Sequence, residues 1–218
     1  MSEFASYAGA RAAFVDLVIP LYGLWSADVT IALDDAVPGT GPLVVGNMTL
    51  QGFVARQALY GGSRRLRLIG GFGGWRKPIP SQQYSLKSGV RLSLLLNDAA
   101  KLVGERVNVP NDSVIGSTFT RVAGPASLLL SDLAGESWYI DAAGVTQVAT
   151  WPTAPIQSHF DVIAQDGAAG AIFIATEDYA EWVPGKTFSS PFTVGAYTVR
   201  GLELTVKDDG IARVEVLT

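Results

Sequence analysis

The sequence predicts an α+β chain, mainly β, in which two similar small antiparallel β-barrels flank a helix-containing middle domain. Three observations predict it. Residues 45–53, VGNMTLQGF, return as residues 194–202, VGAYTVRGL, so that Gly46, Thr49 and Gly52 meet Gly195, Thr198 and Gly201. The frame around each copy also recurs in order: Pro38-Gly39 or Pro184-Gly185 before it, a glycine-marked turn after it (60–63 or 207–210), then a return strand (65–68 or 213–216). Helical periodicity falls between the copies, in 88–104 and 125–134. β-Hairpins share a Val, Thr and Gly vocabulary, so the identities alone say little. Their collinearity marks one structural unit used twice. The expected domains are 1–72, 73–155 and 156–218.

Residues 1–12 read as a loose arm or a short helix seeking a neighbour. Residues 15–19 and 24–33 read as strands. In the second, Asp28, Thr30 and Ala32 alternate with Val29, Ile31 and Leu33, the period of a half-buried strand. Asp34-Asp35 and 37–42 are turn chemistry. Residues 49–59 and 64–69 form a hairpin whose Arg64, Arg65 and Arg67 project outward while Leu66 and Leu68 pack inward. Gly52 marks a bulge or bend within it. Residues 14–70 therefore make a small barrel or sandwich. The run Gly70-Gly71-Phe72-Gly73-Gly74-Trp75 lacks the spacing and the Gly-Lys-Ser/Thr ending of a phosphate loop. It reads as a hinge leaving the barrel, anchored by Trp75 and kept extended by Pro78 and Pro80.

In the middle, Val90, Leu94, Leu95, Ala99, Leu102 and Val103 recur at helical spacing, with Ser93 as N-cap and Gly104 just past the end. A second helix over 125–134 opens on proline, stops at Gly135 and packs through Leu128, Leu129 and Leu133. Residues 137–140 and 145–148 form a hairpin around Asp141-Ala142-Ala143-Gly144. Trp151-Pro152-Thr153-Ala154-Pro155 is a linker signal. Beyond it, 171–175, 197–206 and 211–217 are again strands.

Composition narrows the functions. The chain is 48% hydrophobic and 17% charged, with 24 Gly and no Cys. Disorder is excluded by that hydrophobicity, and disulfides and thiolate chemistry by the missing cysteine. A charged fraction below the usual ~25% leaves more surface for a partner to cover. The N-terminus has no basic segment followed by an apolar run, so no signal peptide is expected. Residues 15–25 carry Asp16 and Pro20 and are too short to span a bilayer.

A net charge of −4 hides a strong polarity. Residues 36–97 hold no acid but carry Arg56, Arg64, Arg65, Arg67, Arg76, Lys77, Lys87 and Arg91. Residues 122–185 hold no base but carry Asp132, Glu136, Asp141, Asp161, Asp166, Glu177, Asp178 and Glu181. The two blocks can meet within one chain. They can also meet between chains, as candidate subunit-interface charges (Arg64, Arg65, Arg67, Arg76 against Asp132, Glu136, Glu177, Asp178, Glu181) in a head-to-tail ring. Nucleic acid on the basic block is a third option, but these arginines lie on a hairpin rather than a groove-reading helix.

The chemistry search finds no catalytic or metal constellation. His159, the lone histidine, stands near Asp161 with no second ligand cluster. No Gly-x-Ser-x-Gly elbow occurs, and the pairs Asp34-Asp35 and Asp208-Asp209 sit in turns, where Asp is preferred. No cofactor and no enzymatic activity are expected.

With this layout the chain resembles the tail or baseplate hub proteins of tailed bacteriophages, of the late-control-D type. The resemblance lies in Gly73-Gly74-Trp75-Arg76-Lys77-Pro78, in Gly89-Val90-Arg91-Leu92-Ser93 and in 97–105. It continues in 135–146 and in Trp182-Val183-Pro184-Gly185-Lys186-Thr187-Phe188. It implies two related barrels in each of three subunits, so that a homotrimer presents six similar barrels to a hexameric tail tube. The middle domain then offers threefold symmetry to a central spike or tip. The implied partners are further copies of the chain, a tube or distal tail protein, and the spike, with no membrane and no nucleic acid. The implied place is the virion tail tip, after synthesis in the bacterial host cytoplasm. The alternative is a carbohydrate-binding or hydrolytic tail protein, which predicts exposed aromatics among Trp75, Trp138, Tyr139, Trp151 and Trp182.

Overall fold

The computed structural model describes residues 4–35, 37–191, 195–207 and 212–218. The chain begins with β1 (Ala5–Tyr7), β2 (Ala10–Pro20), β3 (Ser26–Ala32), β4 (Thr40–Val45), β5 (Met48–Tyr60) and β6 (Ser63–Gly70). They pair in the order β1-β4-β5-β6-β3-β2, and β1 returns to pair with β2, closing a six-stranded barrel. The expected arm, residues 1–12, is therefore not loose where it is described: residues 5–7 are a barrel strand and 10–12 begin the next, while 1–3 lie outside the described residues. The tight turn between them places Ala8 at φ 50° and Gly9 at φ 88°, the double positive φ that suits a two-residue hairpin. Only pairing with residues near 45 shows why the segment is extended, and that partner is distant in sequence.

Period-2 alternation fills the barrel. Val15, Leu17 and Ile19 meet Ala27, Val29 and Ile31, then Leu66 and Leu68, all buried. Trp25 seals one end, 1% exposed. Gly52 and Gly70 are register partners, and a β-carbon on either would lie 2.6 Å from the Trp25 indole. The glycine expected to mark a bend thus forms half of a slot for an aromatic ring.

The middle region comprises β7 (Pro78–Ile79), β8 (Gln82–Arg91), α1 (Leu92–Val103), β9 (Val107–Asn108), β10 (Val114–Arg121), β11 (Gly124–Pro125), α2 (Ala126–Ala134), β12 (Tyr139–Ile140) and β13 (Thr146–Gln147). Residues 88–91, expected as helix, continue β8 because β10 pairs with them. Ser93 is not the N-cap; Arg91 holds that position. The cap comes from a neighbouring loop, where Asp112 accepts the Ser93 N–H at 2.9 Å and its hydroxyl at 2.8 Å. The buried face of α1 is Leu92, Leu95, Leu96, Ala99, Ala100 and Val103, while Leu94 and Leu102 are exposed. In α2, Pro125 is the N-cap and the buried residues are Ala126, Leu129 and Leu130; Leu128 is exposed. Gly104 at φ 82° and Gly135 at φ 57° end the helices as expected. The hairpin around residues 141–144 forms, Tyr139 opposite Gln147 and Ile140 opposite Thr146.

The last third holds β14 (Ala154–Pro155), β15 (Asp161–Asp166), β16 (Ala171–Ala175), a 3₁₀ turn (Tyr179–Glu181), β17 (Lys186–Phe188), β18 (Tyr197–Thr198), β19 (Gly201–Lys207) and β20 (Ala212–Leu217). β19 lies antiparallel to β2, from Gly201 opposite Pro20 to Lys207 opposite Phe14. The large sheet then continues through β20 and β16 to β15. Among the described residues, hydrogen-bonded closure is complete in the first barrel only.

The sequence repeat has a structural counterpart. Met48 and Thr49 pair with Val45 and Val44; their matches Tyr197 and Thr198 pair with Phe188 and Thr187. Both short hairpins follow the Pro-Gly pair, and both lead into a longer hairpin, β5-β6 or β19-β20. β6 then pairs with β3 and β20 with β16, while β3 pairs with β2 and β16 with β15. The order β2-β3-β6-β5-β4 thus recurs as β15-β16-β20-β19, with β18-β17 continuing the course of β19 across Val199-Arg200. Val194 and the expected turn at 208–210 lie outside the described residues.

Candidate functional site

The face of β5, β6, β3 and β2 that points away from the barrel core carries an open trough of about 840 Å³, lined by Asp16, Asp28, Thr30, Arg56, Arg65 and Arg67 among others. Strand register places its charges in one row. Arg56 lies opposite Arg67, Arg67 opposite Asp28, Asp28 opposite Asp16, and Asp16 opposite Thr205. Arg213, opposite Thr205, extends the row onto β20. Like charges directly opposite on a sheet destabilise it, and the row contains two such pairs.

Local contacts offset part of that cost. Arg67 reaches Asp28 at 2.6 Å and donates to Ser26 Oγ at 3.0 Å. The Thr205 hydroxyl donates to Asp16 at 3.1 Å, tying the two repeat units together. Arg65 stacks over Tyr60 with 4.8 Å to the ring centroid, and Arg213 over Phe173 with 4.7 Å. Arg64 differs from its neighbours. It shares the inward parity of Leu66 and Leu68, and its guanidinium donates to the Leu33 carbonyl at 3.0 Å. The three arginines expected to project together therefore divide, two into the trough and one along the barrel end.

The other interface candidates are dispersed. Arg76 is exposed in the turn before β7, and Asp132 and Glu136 are exposed on and just after α2. Glu177 is exposed, while Asp178 accepts from the Asn47 side chain. Glu181 accepts the N–H groups of Ser158 and Gln157 at 2.9 and 2.7 Å, which pull its carboxyl below the ordinary value. The basic block's ion pairs run to Asp28 and Asp112, both outside the acidic block. Of the repeat glycines, Gly46 and Gly195 hold positive φ. Thr49 and Thr198 are exposed, and Gly52 and Gly201 are buried.

Two buried polar centres escaped the sequence reading. Glu105, 7% exposed, directs its carboxylate into the glycine run and accepts N–H groups of Phe72 and Gly74. Burial pushes its pKa up, against those hydrogen bonds and nearby Lys77. The run is thus a loop folded around an acid, with Trp75 buried and donating to Thr146 Oγ1 at 2.8 Å. Arg121, 1% exposed, contacts Asp98 at 2.9 Å, the Tyr84 hydroxyl at 2.8 Å, Gln82 at 2.9 Å and the Pro80 carbonyl at 3.1 Å. Burial, then the Asp98 hydrogen bond, pushes Tyr84 up to about 12. A Gly-Glu pair just past a helix was the one available hint of the first centre; the second had none.

The proposed glycan aromatics are not exposed. Trp75, Trp138 and Trp182 are buried, and Tyr139 and Trp151 stack on each other at 3.8 Å. Among the described residues no cluster of His, Cys, Asp and Glu is arranged to hold a metal ion. His159 and Asp161 are 3.8 Å apart and exposed. Among the described residues no helix is long and apolar enough to cross a membrane.

No protein-family model and no curated protein matches the chain. Solved structures do. It is similar to the 43 kDa tail protein of prophage MuSo2 from Shewanella oneidensis, at 10% identity and TM-score 0.66 over 98% of this chain and 96% of that one. It is similar to a tail protein from Neisseria meningitidis MC58, at 14% identity and TM-score 0.61 over 97% and 94%. A third is the E. coli c3393 protein, a type VI secretion component described as structurally similar to the T4 tail proteins gp27 and gp5. It matches at 9% identity and TM-score 0.67 over 97% of this chain and 75% of that one. With identities this low the likeness is one of architecture: the chain has the fold of these tail proteins.

Proposed function

We propose that this chain is a structural protein of a phage-type tail, a hub subunit of the late-control-D kind located at the tail tip of the virion. In this reading three copies form a ring that joins a hexameric tube to a trimeric spike or tip. The observation that carries it is the recurrence of one strand order, β2-β3-β6-β5-β4 and β15-β16-β20-β19, within one chain. A protomer with two equivalent units occupies two equivalent positions around an axis, so three protomers supply six. The C-terminal strands then stand for a second barrel, sharing the large sheet with the first, and the middle region faces the spike. The fold of the tail proteins above supports the setting.

The segregated charges serve this assembly as complementary subunit faces. Native mass measurement at high concentration and low salt tests it, with a trimer as the expected species; monomer alone counts against it. Reversing Arg65 and Arg67 to Glu separates it from DNA contact: ring loss is expected, whereas a DNA-contacting protein would lose salt-sensitive DNA binding instead.

A further inference from the structure

We propose that the charged trough is a twofold contact. Two copies of this chain face each other across it, Arg56 of each meeting Asp16 of the other and Arg67 of each meeting Asp28. The contact goes beyond the ring reading and needs no ring, because it follows from the order of charges on one face of one protomer.

That order is antisymmetric. Across β5, β6, β3 and β2 the row reads Arg56, Arg67, Asp28, Asp16, each directly opposite the next. A twofold axis parallel to the strands, placed between two facing copies over the seam of β6 and β3, sets the row against its own reverse. Both arginines then meet acids, and each contact occurs twice, as an isologous interface requires. The neighbouring row reads Ala58, Arg65, Thr30, Phe14. The same operation lays Ala58 against Phe14 and Arg65 against Thr30, an apolar pair and a hydrogen-bonding pair. Both rows line the trough, whose open space of about 840 Å³ receives the arginines of the second copy.

The isolated chain leaves these charges poorly used. Arg56 and Arg67 are exposed and directly opposite, as are Asp28 and Asp16 on the acidic side, and like charges so placed oppose folding. A second copy supplies opposite charge to all four positions at once. Complementary charge of this kind fixes both register and partner. The contact is also separate from the pairing of the two charge blocks. Asp16 and Asp28 precede the acidic block at 122–185, and Arg56 stands apart from Arg64, Arg65, Arg67 and Arg76. Two threefold rings joined through it form a closed set that carries both axes.

The test exchanges the charges at one contact. Arg56→Asp and Asp16→Arg are made singly, and each is examined alone and as an equal mixture by sedimentation equilibrium at low salt. Wild type is expected to double its mass with rising concentration, from monomer to dimer or from ring to paired rings. Each variant alone sets like charges against each other at two places, raising the dissociation constant of doubling by about tenfold or more. In the mixture both places again hold opposite charges, so doubling returns to the wild-type range with one copy of each kind per pair. An unchanged thermal midpoint establishes that each variant is folded. Asp16→Asn keeps an acceptor for the Thr205 hydroxyl and is expected to weaken doubling less than Asp16→Arg. A wild type that never doubles, variants that double unimpaired, or a mixture without recovery overturns the contact. A ring that forms without doubling overturns it and leaves the ring reading standing, whereas doubling of monomers with no ring supports it and counts against the ring.

Discussion

Gly46 lies so close beneath Tyr179 that a β-carbon on the glycine would sit 2.7 Å from Cδ2 of the ring. The two belong to different repeat units. Asn47 fixes the contact from both sides, donating to Asp178 and accepting the Ala180 N–H at 3.2 Å. Phe4 meets the same tyrosine edge-on at 5.7 Å. The acidic segment 177–181 is thus docked on the β4-β5 turn of the first barrel.

Gly46→Ala should therefore destabilise more than the matching Gly195→Ala. Both glycines hold positive φ, 54° and 85°, and that strain costs an alanine about 1 kcal/mol. Gly46 adds an aromatic clash, whereas among the described residues nothing lies within 4 Å of a β-carbon on Gly195. Overpacking of this kind adds about 1–3 kcal/mol. Urea unfolding of the two variants checks the difference, and equal losses would remove the docking role from Gly46.

Glu105 should give the fold an unusual pH signature. Its folded pKa is raised, burial outweighing the N–H groups that favour the carboxylate. A raised folded value means the contribution is fully present below the unfolded carboxyl pKa and is lost as pH rises through the folded one. The wild type should accordingly lose stability relative to Glu105→Gln as pH climbs out of the carboxyl range toward neutrality. Urea midpoints of both proteins across that window decide it. A relative gain with rising pH would mean that the hydrogen bonds outweigh burial.

What was legible in the sequence was local. The β5-β6 and β12-β13 hairpins, and the helix stops at Gly104 and Gly135, are written within a few residues and stand where expected. What was missed depends on distant partners. β1 is a strand because β4 is beside it, and residues 88–91 are strand because β10 is. The α1 N-terminus is capped by Asp112 from another loop. Gly52 reads from its neighbours as a bulge or bend, whereas the close approach of the Trp25 ring to it is invisible to such a reading. The charge blocks were legible as composition. Their ordering into the row from Arg56 to Arg213 needed the register of six strands.

Tyr84→Phe should cost about 1–3 kcal/mol at neutral pH, since its hydroxyl donates to Asp98 and accepts from buried Arg121. The folded pKa of Tyr84, about 12 against 10.0, is raised. Its contribution is therefore complete below pH ~10 and lost as pH rises toward ~12. The gap between wild type and variant should narrow across that window, provided Tyr7 and the other tyrosines, common to both proteins, titrate alike. Alkaline urea titrations of the pair read the gap directly, and a gap independent of pH would show that the Tyr84 hydroxyl does not titrate in this way.

Arg67 distinguishes a row that holds the fold from a row that meets a partner. Its ion pair with Asp28 is short but half exposed, with the side chains 44% and 55% accessible. Solvent screening holds such a pair to about 1 kcal/mol or less, and Arg56 directly opposite Arg67 subtracts from it. Arg67→Ala and Asp28→Ala should each shift unfolding by no more than about 1 kcal/mol. A loss of about 3 kcal/mol or more in either would make the row part of what stabilises the monomer. A small loss leaves paired like charges retained on an open face at little benefit to the isolated chain, which is the arrangement a contact between copies requires.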